Sequence, residues 1–298
     1  MKEQNKIDFT ILAKISRLAL KAKKIAEGVI SGTHRSHFRG RSLEFLQHRE
    51  YAFGDDLRFI DWKVYARKDH FFIKQYEEET NLRGYIFLDT SSSMEYSYNG
   101  MKKLTYGQEL AAVLAYIMLN QGDMVGLVTF SDRIKSLLPA RNNIAHFSLI
   151  IKTLVEDIPG GKTDVESVMN DFSKYIKRRM LLLFISDLLT EPEKTVNILK
   201  YYSARKHEIM VFHILSPNEI ELDWDKGYIA KDMETGEEVI VEPEFIKEKY
   251  QQITKNFIQN YTTMFRSNLI DYNLFLINQP LEKNLSLFFA QHEKMVKT

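Results

Sequence analysis

The chain has 298 residues, 44% of them hydrophobic and 27% charged, with a formal net charge of +1 and no cysteine. That composition is globular and long enough for one large domain or two smaller ones. It excludes disulfide frameworks, thiolate metal sites and cysteine nucleophiles, and gives no whole-protein steering towards nucleic acid.

Along the chain, Ile11, Ile15, Leu18, Ala22, Ile25 and Val29 recur at spacings of three and four. They predict one apolar face of an amphipathic helix. A Gly- and Arg-rich stretch, "GTHRSHFRGRS", follows and reads as extended loop. After "REYAFGDDLRFIDWKVYAR" comes "HFFIKQYEEET", a predicted strand. From residue 84 the rhythm changes. Strands "GYIFLD", "DMVGLVTF", "MLLLFIS" and "EIMVFHIL" alternate with helical stretches over 101–121, 143–157, 164–178 and 192–206, and "IKSLLPA" reads as an edge strand. Such alternation implies an α/β fold with a mainly parallel sheet and helices on both faces. A hairpin over 227–241, a helix over 243–267, a strand "YNLFLI" and a helix over 281–294 are expected to complete it. The expected domains are an N-terminal helix and extended segment over 1–80 and an α/β domain over 81–298, with a hairpin insertion at about 217–242.

Charge is uneven. Residues 1–49 hold eleven Lys/Arg against four acids, and residues 217–249 hold eleven Asp/Glu against four Lys. The two segments are expected to attract each other or separate partners. Lys6, Asp8, Lys14 and Arg17 break up any secretory signal, and no run approaches the roughly 18 apolar residues of a membrane span. A soluble, cytoplasmic protein is therefore expected.

The chemistry concentrates at "IFLDTSSSM", residues 86–94. A helix cap needs one Asp or Ser, and here Asp89, Ser91 and Ser93 alternate just past a buried strand. Ligands of open α/β sheets bind beyond the carboxyl ends of strands. "GGKTD" adds Thr163, and "FISD" adds Asp187 at the end of another strand. Carboxylates and hydroxyls alone suit a hard cation, Mg²⁺ or Mn²⁺, that keeps several waters. The rival reading of "GGKT" as a phosphate-binding P-loop fails, because Glu156 stands where the first glycine belongs. No G-x-S-x-G elbow supports a serine hydrolase. His34 and His37 have no further clustered ligands, and the Arg/His-rich stretch 34–49 contains no recognisable nucleic-acid module. In "GDDLRFIDW", Asp55, Asp56, Arg58 and Asp61 read as a structural clamp anchored by Trp62, the alternative being a partner-binding surface.

The pattern resembles the metal-ion-dependent adhesion site of von Willebrand factor A domains at Asp89, Ser91, Ser93, Thr163 and Asp187. With "RSHFRGRSLEFLQHREY", "GDDLRFIDW", "ARKDHFFIKQYEEE", "QGDMVGLVTFSD", "TDVESVM" and "DMETGEE", the chain resembles the domain of unknown function 58 family from about residue 30 to about 242. That resemblance implies a Rossmann-like von Willebrand A-type fold and a non-enzymatic, metal-dependent protein-binding module. It also implies a partner, a MoxR-type AAA+ ATPase, which the preference of Mg²⁺ for hard anionic oxygen expects to present an acidic residue. Many members of that family carry membrane-spanning segments, whereas this chain is expected to have no membrane span and to bind no nucleic acid. The alternatives are a Mg²⁺-dependent phosphoryl-transfer or hydrolytic enzyme, or a nucleic-acid adaptor using the basic N-terminus.

Overall fold

A computed structural model describes residues 9–32, 43–52, 55, 60–68, 70–78, 82–222, 228–231, 238–241 and 243–296. It divides into two compact units, Met1–His37 with Arg83–Thr298, and Phe38–Leu82.

In chain order the elements are α1 (Phe9–Gly32), β1 (Leu43–Glu50), α2 (Trp62–Lys68), β2 (Phe72–Glu78), β3 (Arg83–Asp89), β4 (Ser97–Tyr98) and β5 (Met101–Lys102). Then come α3 (Lys103–Asn120), β6 (Met124–Phe130), β7 (Ile134–Arg141), α4 (Ile144–Glu156), α5 (Val165–Phe172), β8 (Leu181–Ser186), α6 (Pro192–Ser203) and β9 (Glu208–Leu215). The chain ends with α7 (Pro217–Glu221), β10 (Tyr228–Lys231), β11 (Glu238–Val241), α8 (Pro243–Ser267), β12 (Asp271–Leu276) and α9 (Leu281–Val296).

The larger unit is a mixed α/β fold around a six-stranded sheet of order β12-β9-β8-β3-β6-β7. Each neighbouring pair is parallel except β6 with β7, the expected edge strand. The central strands are apolar along most of their length because both of their faces are covered. Successive side chains leave a strand on opposite faces. Tyr85 and Phe87 of β3 therefore share a face with Leu182 and Phe184 of β8, and the Phe87 and Phe184 rings stack at 4.5 Å. Val168, Met169 and Phe172 of α5, Val196 and Leu199 of α6, and Tyr261 and Phe265 of α8 join this core. On the other face α3 comes so close that a Cβ on Gly107 would meet Leu88 Cδ1 at 2.9 Å.

α1 belongs to this unit, so the expected N-terminal domain over 1–80 is divided. Ala22, Ala26 and Val29 are buried, and α1 packs on α3, α4 and α9. An amphipathic helix must bury its apolar stripe somewhere, and these helices supply the surface. Lys21 of the basic N-terminal stretch pairs with Glu109 of α3, not with the acidic segment 217–249. The hairpin is present as antiparallel β10 and β11, with the short helix α7 before it.

In the smaller unit β1 and β2 form an antiparallel pair with an irregularity between Phe45 and Gln47. Arg49 forks onto both Asp55 oxygens at 2.7 and 2.8 Å. The Ala52 amide and then Arg49 hold the Asp55 carboxyl below its ordinary range. Asp61 accepts from the Lys63 amide at 3.0 Å and caps α2, while His48 Nε2 lies 3.0 Å from its other oxygen. Trp62 begins α2, and its ring meets Tyr65 and Phe71 edge-on. Asp56 and Arg58 of the expected clamp fall outside the described residues, as do His34 and His37.

Candidate functional site

β3 ends in Asp89 and β8 in Ser186, two residues beyond Phe87 and Phe184 on the same face of the sheet. The strand period thus brings both side chains to one crevice. Asp89 is fully buried and accepts from the Ser186 hydroxyl at 2.6 Å and from the Thr163 hydroxyl at 3.0 Å, both on Oδ2. Its Oδ1 accepts from the Ser91 amide at 2.9 Å. The Ser91 and Ser93 hydroxyls lie 3.0 Å apart, Ser91 as the N-cap of the 3₁₀ turn Ser92–Glu95 and Ser93 within it.

Thr163 arrives on the glycine turn after α4. Gly160 and Gly161 have φ of +147° and +85°, a conformation that side chains resist. The turn docks on the Asp89 loop through Gly160 N–H to the Thr90 carbonyl at 2.8 Å and Ser92 N–H to the Gly161 carbonyl at 2.9 Å. Lys135 fastens the two loops by donating to the carbonyls of Thr90, Ile158 and Gly160. Here "GGKT" positions a hydroxyl beside a carboxylate.

Asp187 stands beside this group with a different set of bonds. Its Oδ2 accepts from Lys103 at 2.6 Å, and Lys103 also donates to Glu219 at 2.6 Å. Lys103 opens α3 and its side chain is wholly buried. Burial would lower its pKa, but Asp187 and Glu219 outweigh that and hold it above the ordinary lysine value. Glu219 closes the capping box of α7 with Ser216. The Asp187 carbonyl lies 2.8 Å from His213 Nε2, while His213 Nδ1 lies 2.6 Å from the Tyr272 hydroxyl. Burial pushes the His213 imidazole down to about 4, so it is neutral at pH 7.

Electrostatically the crevice is rich in negative charge. Burial, and then the charge of Asp187, pushes the Asp89 carboxyl up to about 6, against the Ser186 and Ser91 hydrogen bonds that hold it down. Lys103 is the cation in hydrogen-bond contact with the carboxylates, and it serves Asp187 and Glu219, not Asp89. A hard divalent cation fits this donor set, which offers oxygen alone and a carboxylate raised by burial and by the Asp187 charge. Among the described residues no group of three or more His, Asp or Glu gathers, so such a cation relies on the hydroxyls.

Of the residues expected from the sequence, Asp89 bonds directly to Ser91 and Thr163, Ser93 joins through Ser91, and Asp187 is turned to Lys103. Sequence reasoning missed Ser186, Lys103, Glu219 and His213. Ser186 had a signal, its place two residues after Phe184. The other three had none in their own neighbourhoods.

A family model described as "Protein of unknown function DUF58" matches residues 47–258. Uncharacterized protein Rv1480 of Mycobacterium tuberculosis (strain ATCC 25618 / H37Rv) is 26% identical over 232 residues, covering 77% of this chain and 73% of that protein. BatB, a conserved hypothetical protein from Bacteroides thetaiotaomicron, is 14% identical with a TM-score of 0.48, covering 73% of this chain and 100% of that one. An aerotolerance-related membrane protein from Bacteroides fragilis is 15% identical with a TM-score of 0.47, covering 71% of this chain and 98% of that one. The expectation of a cytoplasmic protein is withdrawn. The expectation rested on the lack of a long apolar run, which bears on crossing a bilayer and not on where a protein sits. Among the described residues no helix is long and apolar enough to cross a membrane.

Proposed function

The chain belongs to the DUF58 family of proteins of unknown function, and from its site geometry we propose that it is a metal-dependent protein-binding module and not an enzyme. One observation carries the reading: Asp89, Ser91, Ser93 and Thr163 meet in a hydrogen-bonded group at the carboxyl ends of the sheet, with the Asp187 charge beside them. In this reading Asp89, Ser91, Ser93 and Thr163 hold Mg²⁺ or Mn²⁺, and Asp187 balances its charge. The cation supplies an open position for a hard anionic oxygen.

The remaining side chains position this group. Ser186 orients Asp89, Lys135 fixes the loops, and Lys103 ties Asp187 to α3 and α7. The partner supplies an aspartate or glutamate. The sequence resemblance makes a MoxR-type AAA+ ATPase the partner to test.

The enzyme alternative needs a general base with a free acceptor. His213 is neutral but has both ring nitrogens engaged, and Asp164 caps α5 through the Ser167 amide and hydroxyl. The bonding of both favours a binding role. A pull-down with the ATPase in Mg²⁺, in EDTA, and with Ser91→Ala/Ser93→Ala tests the proposal. Capture is expected only for the unaltered chain in Mg²⁺. Equal capture in all three would remove the metal from the interface, and phosphoester turnover lost in Asp89→Ala would favour the enzyme.

A further inference from the structure

Two large apolar side chains stand in solvent on the loops that build the buried crevice. Ile158 is 79% exposed and Leu189 is 47% exposed. Ile158 precedes the glycine turn that carries Thr163. Its carbonyl accepts from Lys135 at 3.0 Å, and the same ammonium holds the carbonyl of Thr90, next to Asp89. Leu189 lies on the loop after β8, and its amide is 3.4 Å from Asp187 Oδ1. The two residues thus border the crevice from different loops.

A single exposed isoleucine or leucine is ordinary and calls for no explanation. Three features separate this pair from that case. First, the exposure of Leu189 comes with backbone strain. Leu188 has φ of +51°, which a leucine adopts at a cost. Three bonds hold it there. Its amide donates to the Ser186 hydroxyl at 2.9 Å, and its carbonyl accepts from the Thr190 amide at 2.7 Å and the Tyr261 hydroxyl at 3.1 Å. The turn buries Leu188 and leaves Leu189 outside. Second, Ile158 is stiff. Its side chain is β-branched, Pro159 restricts its backbone, and its carbonyl is anchored on Lys135. A contact made on such a residue loses little conformational entropy. Third, the pair borders a site for positive charge. Lys162, exposed on the turn that carries Thr163, adds its ammonium to the charge of a bound cation, and the two together favour an acidic partner.

A partner's carboxylate that reaches the cation brings its chain neighbours onto these loops. In an extended segment the residues two before and two after the carboxylate share its face, each about 6.6 Å along the chain. Apolar side chains at those places remove their own surface and that of Ile158 and Leu189 from water. Resting on the metal-dependent reading above, we propose that Ile158 and Leu189 form an apolar rim that selects the partner's sequence. The segment it fits is extended and acidic, with a large apolar residue two places to each side of the aspartate or glutamate. The cation and Lys162 attract the carboxylate, and the rim distinguishes one acidic segment from another.

The test uses the full chain and two dansyl-labelled, C-terminally amidated peptides, Gly-Leu-Gly-Asp-Gly-Leu-Gly and Gly-Ser-Gly-Asp-Gly-Ser-Gly. Their binding is followed by fluorescence anisotropy in Mn²⁺ and in EDTA. Three proteins are compared: the unaltered chain, Ile158→Ser/Leu189→Ser, and Leu269→Ser, which removes an exposed leucine just before β12 at the other end of the sheet. Mn²⁺ is first titrated calorimetrically into each, so that a lost metal site is told apart from a lost rim. In Mn²⁺ the unaltered chain and Leu269→Ser should bind the leucine peptide about tenfold more tightly than the serine peptide, the effect of part-burying two leucines. In EDTA they should bind neither. In Ile158→Ser/Leu189→Ser the preference should fall to about twofold or less. A preference kept in the rim variant, lost equally in Leu269→Ser, or absent from an unaltered chain that binds Mn²⁺ overturns the rim and leaves the metal reading standing. An unaltered chain that takes no Mn²⁺ overturns both.

Discussion

At the carboxyl ends of β3 and β8 the chain gathers Asp89, Ser91, Ser186 and Asp187 out of reach of solvent, whereas at the amino ends of β8 and β9 it sets Lys177 and Arg205 in the open. Roughly 20 Å of strand separates the two, at about 3.3 Å per residue over the six residues of β8. The difference lies in how each end satisfies its charge. In the buried crevice every carboxylate has protein partners, since water cannot serve it. At the basic end long side chains keep their heads hydrated and cost the fold little. Substitutions at the first end should therefore register strongly in stability, and those at the second only weakly.

The sharpest break in that contrast is Lys103→Met. It leaves Asp187 and Glu219 buried or half-buried without their cation, and stability should fall by about 3–5 kcal/mol in urea denaturation. A loss near that of a surface lysine would mean that the crevice is wetter than its burial indicates. The next effect is on pH dependence. The Asp89 carboxyl titrates near 3.8 when unfolded and near 6 when folded. Between those values the folded state holds the proton more tightly, so with divalent cations chelated, stability should fall as pH rises from about 4 to about 6. Asp89→Asn should flatten that slope, and Mg²⁺ should restore stability to the unaltered chain above pH 6. Ser186→Ala removes one donor from a buried carboxylate and should cost about 1–3 kcal/mol in thermal unfolding. At the basic end Arg179→Ala breaks only a half-exposed pair with Glu208, and Arg205→Ala only a stack on Tyr201. Each should cost no more than about 1 kcal/mol. If either matched Lys103→Met, the division between the ends would fail.

Much of this fold was legible because its central strands are short apolar runs between turn residues, and α3, α6 and α8 fell within a few residues of the expected spans. β1 was not legible, since "LEFLQHRE" carries too few apolar residues to show a period. α2 and α7 have only seven and five residues, too few for a helical stripe. In the crevice, Asp89, Ser91 and Ser93 were legible from their spacing just past a strand, and Thr163 from its place in a glycine turn after a helix. Lys103 was not. A lysine at the start of a helix ordinarily faces solvent, and what buries this one is contact with Asp187 and Glu219, 84 and 116 residues away. The same distance effect explains why Asp187 appeared as a free carboxylate in the sequence and is a paired one in the fold.

The most direct test of the central claim is calorimetric titration of Mn²⁺ into the full chain and into Asp89→Asn, each first shown to be folded by circular dichroism. The account predicts saturable binding to the unaltered chain and its loss in the variant, because Asp89 is the carboxylate on which Ser91, Thr163 and Ser186 converge. Equal affinity in both proteins, or no binding to the unaltered chain, would contradict it.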